Sequence, residues 1–281
     1  MNTEEIAQSF PPHVARIRHL RNPVAAAEAA IAQRRVRLAP EPPGERTGRI
    51  TPVGERLPVG APRPEGAEAP LRLVAVGDSL VAGSGVADQA DSFIPRIAAK
   101  VAAASGRDVT WATHARLGAT MRRVRFKFMP EVDSADVLFV CAGSNDLLAR
   151  RSMEEWTEDF TAVLDDAARR ARHVVACSAG QLYRSPSLLP VLRSVLLERT
   201  AAQTEISARL CAERGVPYID FSEMVPNEGF WAEDGFHPSG VGYELASGTV
   251  ADAVMTSLAL DDAGDGAGAD ADPTFPPRKA S

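Results

Sequence analysis

Cysteine is scarce in this chain of 281 residues: it has three, Cys141, Cys177 and Cys211. An odd, low count in apolar or helical contexts excludes a disulfide framework and fits buried, reduced thiols. Basic charge is not in excess either. With 31 Lys and Arg against 37 Asp and Glu the formal net charge is −6, so no nucleic-acid partner is expected. No window approaches the roughly 18 uninterrupted apolar residues of a membrane span, and no transmembrane segment is expected. The opening residues, MNTEEIAQSFPP, lack the basic stretch followed by an apolar one that marks a secretory signal peptide. Together these absences predict a cytoplasmic protein. No two histidines have ligand spacing on one helix, so neither a metal nor another cofactor is expected.

What the chain does have is an ordinary globular composition, 45% hydrophobic and 24% charged, in a length that allows one large core and extensions. Residues 1–39 read as an N-terminal helical extension. Asn22-Pro23 is a helix start, and the alanine-rich run that follows closes on Arg34, Arg35 and Arg37, which suit a helix carboxyl end. Arg16, Arg18 and Arg21 make the preceding stretch basic, but weak amphipathicity and few aromatics favour a solvated surface helix over an interfacial anchor. Residues 40–70, dense in proline and glycine, read as a linker or an extended wrap along the domain. At the other end, 261–281 reads as a disordered acidic tail, rich at its start in Asp, Gly and Ala.

Between them, 71–260 alternates strand and helix. Leu71, Leu73, Val74, Ala75 and Val76, broken only by Arg72, form an apolar run expected of a strand buried on both faces. A helix is predicted over 92–104, a strand over 108–115, a basic helix after Leu117-Gly118, and a strand over 136–142. The charges Arg122, Arg123, Arg125 and Lys127 read as a solvated face. Then come a long helix over 153–171, a strand over 173–178, a helix over 188–214, a strand over 216–221 and a last helix over 240–258. This order predicts an α/β fold: a doubly wound, five-stranded parallel sheet with helices on both faces. Right-handed crossovers would bring all the strand carboxyl ends to one edge.

Four short pieces fall on that edge or in the last loop: Gly77-Asp78-Ser79, Leu117-Gly118, Gly143-Ser144-Asn145-Asp146 and Asp234-Gly235-Phe236-His237. Each has a plain alternative. Ser79 is also a turn residue, Asn145-Asp146 a helix cap, Asp234 a turn former and His237 a surface histidine. Meeting at one edge, they supply an acyl-transfer site. Ser79 is the candidate nucleophile, inert until a base takes its proton. His237 is the candidate base, and Asp234, three residues earlier, is placed to orient its ring. The backbone N–H groups of Ser79 and Gly118 and the amide of Asn145 are the candidate oxyanion hole. Asp146, Asp220 and His114 read as structural, and His13, His19 and His173 have no acidic partner that the sequence places. Gly83-Ser84-Gly85 lacks both the third glycine of a dinucleotide fingerprint and the Gly-Lys-Ser/Thr of a phosphate loop.

On these blocks the chain resembles the SGNH, or GDSL, hydrolase family, over residues 71–260. Gly77-Asp78-Ser79-Leu80 matches its nucleophile block, Gly118 the glycine of its second, Gly143-Ser144-Asn145-Asp146 its third, and Asp234-Gly235-Phe236-His237 its last. The resemblance implies a three-layer α/β/α sandwich of flavodoxin-like type. It also implies metal-independent hydrolysis of esters or thioesters, with a small-molecule ester as substrate. An acyltransferase using the same residues, and a non-catalytic binding domain of the same fold, are the alternatives; intact Ser79, Asn145, Asp234 and His237 weigh against the second. Oligomeric state is not readable from the sequence.

Overall fold

A computed structural model of the chain describes residues 22–266. His13, His19 and the rest of 1–21, and residues 267–281 of the expected tail, lie outside the described residues. In chain order the elements are α1 (Pro23–Arg35), β1 (Thr47–Ile50), β2 (Arg56–Leu57), β3 (Leu71–Gly77), α2 (Phe93–Ser105) and β4 (Val109–Ala115). They continue with α3 (Met121–Arg123), β5 (Ala135–Cys141), α4 (Ser144–Leu148), α5 (Met153–Arg170), β6 (Ala171–Cys177), α6 (Pro190–Ala212), β7 (Tyr218–Ile219) and α7 (Gly240–Gly266).

Local signals account for the helix ends. The Asn22 side chain accepts the amides of Val24 and Ala25 at 3.0 and 3.2 Å, with Pro23 at the first helical position. Ser152 and Glu155 form a capping box before α5. Gly106, at φ +69°, closes α2 in the left-handed region.

β3 is the strand on which the sheet is built. Leu71, Leu73 and Ala75 enter one core with Ile94, Ile97 and Val101 of α2 and Val250 and Val254 of α7. Val74 and Val76 enter the other, with Trp156, Phe160 and Leu164 of α5 and Leu210 of α6. This period of two explains why the strand reads as a continuous apolar run: both faces are covered by helices. The sheet order is β2-β1-β4-β3-β5-β6-β7. The five strands β4-β3-β5-β6-β7 are parallel, as the sequence predicts, and the layers are α/β/α. Gly77 pairs with Ala115 on one side and with Cys141 on the other, so three strand ends stand abreast. The chain runs from β3 outward to β4, then back across β3 to β5. The crevice between the ends of β3 and β5 is therefore the topological switch point, where open α/β sheets hold ligands.

Among the described residues the sheet has seven strands and not five. The extra two come from the stretch read as linker: β1 pairs antiparallel with the outer edge of β4, and β2 with β1. Gly48 lets β1 lie across Trp111, since a Cβ there would sit 2.3 Å from the indole. The Arg49 guanidinium donates to the carbonyl of Pro62 at 2.9 Å and stands 3.4 Å from Asp108. Two other boundaries differ from expectation. β7 has only two residues. α7 runs on to Gly266, past the start expected for the tail, because no proline interrupts it before Pro273. Helix α1 rests on α6, where the Glu28 carboxylate accepts the Leu192 amide at 2.6 Å. The three cysteines are buried and unbridged. Among the described residues no helix is long and apolar enough to cross a membrane.

Candidate active site

Just past β3 the backbone turns at Gly77, where a Cβ would sit 2.1 Å from the Cys141 carbonyl oxygen. The Asp78 amide donates to that carbonyl at 3.2 Å, and the Ala82 and Ser84 amides donate to the carbonyls of Asp78 and Ser79. Ser79 sits on this turn, 6% exposed, at the wall of a cavity that Asn145 and His237 also line. The remaining wall is largely apolar, with Leu182, Met224, Phe230, Trp231 and Phe236 from the loops before α6 and α7.

Asp234 and His237 form a closed unit within one loop. Asp234 Oδ2 lies 2.6 Å from His237 Nδ1, while Oδ1 accepts the amides of Phe236 and His237, both at 2.9 Å. A further donor comes from far away in sequence: the Ala39 amide, 2.8 Å from Oδ2. Burial pushes the Asp234 carboxyl up. The His237 ring and the amides of Ala39, His237 and Phe236 outweigh it and hold the group well below the usual carboxylate range. An ionised carboxylate is an acceptor only, so His237 Nδ1 carries the proton of this bond and Nε2 is the ring nitrogen left to the cavity. His237 is 1% exposed, and Nε2 has no hydrogen-bond partner among the described residues.

The loop is locked from two sides. Ser185 and Ser187 donate to the carbonyls of Gly235 and Asp234, both at 2.6 Å. Gly235, at φ +60°, leaves no room for a side chain, since a Cβ would meet the Ser187 hydroxyl at 2.4 Å. Gly85 lets the loop after β3 close on the histidine loop: a Cβ there would stand 2.2 Å from the Pro238 carbonyl and 3.1 Å from His237 Cβ.

Beyond β5, Gly143 takes φ +144° between Gln203, Ala179 and Trp156. One Nδ2 hydrogen of Asn145 goes to the Ala119 carbonyl at 3.0 Å, which leaves the other for the cavity. This bond ties the turn after β5 to the turn after β4. Gly118, at φ +80°, is in that second turn, exposed, with open space where a Cβ would be. It joins the site through Ala119 and is not itself among the residues that line the cavity.

The other candidates have separate partners. Asp146 is buried and accepts the Met121 amide at 2.8 Å and Arg151 at 3.1 Å. Asp220 is exposed and holds the Ser222 amide and hydroxyl. His114 stands 2.9 Å from Glu131. Two further residues reach the site without a mark in the sequence: Ala39, whose contribution is a backbone N–H, and Glu41, whose Oε1 accepts the Leu117 amide at 2.6 Å.

Asp78 has a charge state of its own. It is fully buried, Oδ1 accepts the Leu80 amide at 3.0 Å, and Oδ2 has no partner among the described residues. Burial pushes its pKa up to about 7 from 3.8, against the opposing pull of the Leu80 amide and His237. A carboxyl raised in the folded state binds its proton more tightly there than in the unfolded chain. Its contribution to stability is therefore full below about pH 4 and lost as pH rises to about 7. At 1.36 kcal/mol per pKa unit the loss is on the order of 4 kcal/mol. Asp78→Asn is expected to melt several degrees above the parent at pH 8, with the gap closing towards pH 4. A gap that is constant with pH in thermal melts would show that Asp78 is ionised throughout.

A model of the GDSL-like lipase/acylhydrolase family matches residues 75–245, more than half of the chain. Among solved structures the chain is similar to the lipase Lip_vut3 from goat rumen metagenome, at TM-score 0.52 and 20% identity, covering 65% of this chain and 97% of that one. It is similar to the aryl esterase of M. smegmatis, at TM-score 0.53 and 14% identity, covering 66% and 99%. It is also similar to a family 3 carbohydrate esterase of Clostridium thermocellum, at TM-score 0.54 and 14% identity, covering 68% and 99%. At such identities the likeness is one of fold. No curated protein matches the sequence.

Proposed function

Because the chain belongs to the GDSL-like lipase/acylhydrolase family, we propose that it is a serine hydrolase cleaving carboxylic or thio esters through an acyl-enzyme on Ser79. The observation that carries this reading is the buried Asp234–His237 pair, whose free Nε2 shares one cavity with Ser79. In the proposed cycle, Nε2 takes the Ser79 hydroxyl proton as the oxygen attacks the ester carbonyl. Asp234 holds the ring in the required tautomer and offsets the imidazolium charge. The oxyanion lies against the N–H group of Ser79 and the second Nδ2 hydrogen of Asn145, and the turn at Gly118 holds that amide through the Ala119 carbonyl. His237 returns the proton to the leaving alcohol or thiol. Water, activated by the same ring, then releases the acid. The apolar wall suits the acyl group of a small ester.

A fluorophosphonate probe tests the nucleophile, because only an activated hydroxyl attacks it. The adduct should map to Ser79 alone. Ser144 donates its hydroxyl to the Ala179 carbonyl at 2.6 Å, and Ser84 is fully buried, so neither is a competing site. A label on Ser84 or Ser144, or none on protein that hydrolyses aryl esters, overturns the assignment.

A further inference from the structure

We propose that residues 39–46 are a strap that positions the hydrolytic site, holding its acid, its oxyanion turn and its nucleophile loop together; this rests on the roles given above to Ser79, Asp234 and His237. The strap touches all three. The Ala39 amide donates to Asp234 Oδ2 at 2.8 Å across 195 positions of sequence. That is the same oxygen that faces His237 Nδ1. With both donors in place the carboxylate is fixed in orientation, and a charge-assisted bond of this kind is among the stronger ones.

Two residues on, Glu41 Oε1 accepts the Leu117 amide at 2.6 Å, next to Gly118. Its other oxygen pairs with Arg46, which donates to the Ala115 carbonyl at 2.8 Å. Glu41 and Arg46 thereby clamp the end of β4 and the turn that follows. Gln89 makes the third hold. Its amide nitrogen donates to the Pro42 carbonyl at 3.2 Å and to the Ala82 carbonyl, on the loop after Ser79, at 2.9 Å.

Both ends of the strap are anchored. Helix α1 sits on α6 before it, and β1 enters the sheet after it. Pro40, Pro42 and Pro43 keep the span extended, so little conformational freedom opposes its contacts.

Ala39→Pro tests this, because it deletes the amide donor and suits an extended backbone, while Ala39→Gly keeps the donor. With an aryl ester and the full chain, Ala39→Pro is expected to lower kcat by about tenfold or more, with KM within about threefold. Ala39→Gly should stay close to the parent. On an Asp234→Asn background Ala39→Pro should add little, because the charge that its amide serves is gone. Parental kcat in Ala39→Pro overturns the strap. So does an equal loss in Ala39→Gly, or the full loss repeated on Asp234→Asn, either of which marks a merely structural segment.

If Ala39→Pro does not fold by circular dichroism, Glu41→Ala replaces it. It is expected to lower kcat about tenfold at steady KM, while Glu41→Gln, which keeps an acceptor for the Leu117 amide, retains most activity. Equal losses in the two overturn the proposal. A parent that neither hydrolyses the ester nor labels at Ser79 overturns the hydrolase reading and this inference with it. An active parent with an indifferent Ala39→Pro overturns the strap alone.

Discussion

His237→Ala is expected to lower kcat for ester hydrolysis by about 10⁵–10⁶ while KM moves little, since loss of the base removes an interaction made only on the way to the transition state. Among the described residues no neighbouring group stands ready to replace it. His114 is engaged with Glu131. Asp78, next to Ser79 in sequence, accepts the Leu80 amide and is not among the residues that line the cavity. The variant keeps the amide of residue 237 and with it one of the two donors to Asp234 Oδ1. The fold should therefore survive, and a thermal melt checks that. Truncating a fully buried ring leaves a void beside Ser79, so added imidazole is expected to restore part of the rate. A folded His237→Ala that keeps kcat within tenfold of the parent removes His237 from the chemistry.

The sequence was legible where a residue's type alone decides its place. Val74, Val76, Val137 and Val140 mark strands because both faces of the sheet are covered, so every position is apolar. Ser79 and Asn145 could be placed because each follows such a strand directly. His237 could be paired with Asp234 because one loop of three residues spans the distance. What escaped depended on partners that composition does not announce. β1 is four residues, one of them Gly48, and becomes a strand because β4 offers it a free edge. β7 shrinks to two residues, although the Pro217 carbonyl still accepts the Ala176 amide at 3.0 Å beside it. The Ala39 amide belongs to the backbone, which every residue type shares. Gly118 was readable as a turn, but its position outside the cavity lining depends on how that turn folds over Ala119.

Asp234→Ala is expected to lower kcat/KM by about 10⁴, less than His237→Ala, because the base still works without its orienter but in a poorer tautomer and without charge support. Asp146 and Asp220 are the rivals, and their surroundings predict different outcomes. Asp146→Ala leaves the Met121 amide without its acceptor, while Arg151 keeps Asp159 at 2.8 Å; its effect should fall on stability before activity. Asp220→Ala removes an exposed cap on Ser222 and should cost about 1 kcal/mol of stability or less. For Asp234 the stability effect has a definite sign. Its carboxyl is held below the usual range in the folded state, so its contribution is present above the unfolded value of 3.8 and is lost as pH falls below it. The destabilisation of Asp234→Ala, measured by urea titration, should therefore be full at pH 7 and shrink below pH 4. Rates for the three variants are to be compared at neutral pH or above, where Asp234 is ionised. If folded Asp146→Ala or Asp220→Ala loses far more kcat/KM than Asp234→Ala, the acid has been misassigned. Ser79 and His237 would keep their roles, and the carboxylate that orients the ring would have to reach it from another strand end.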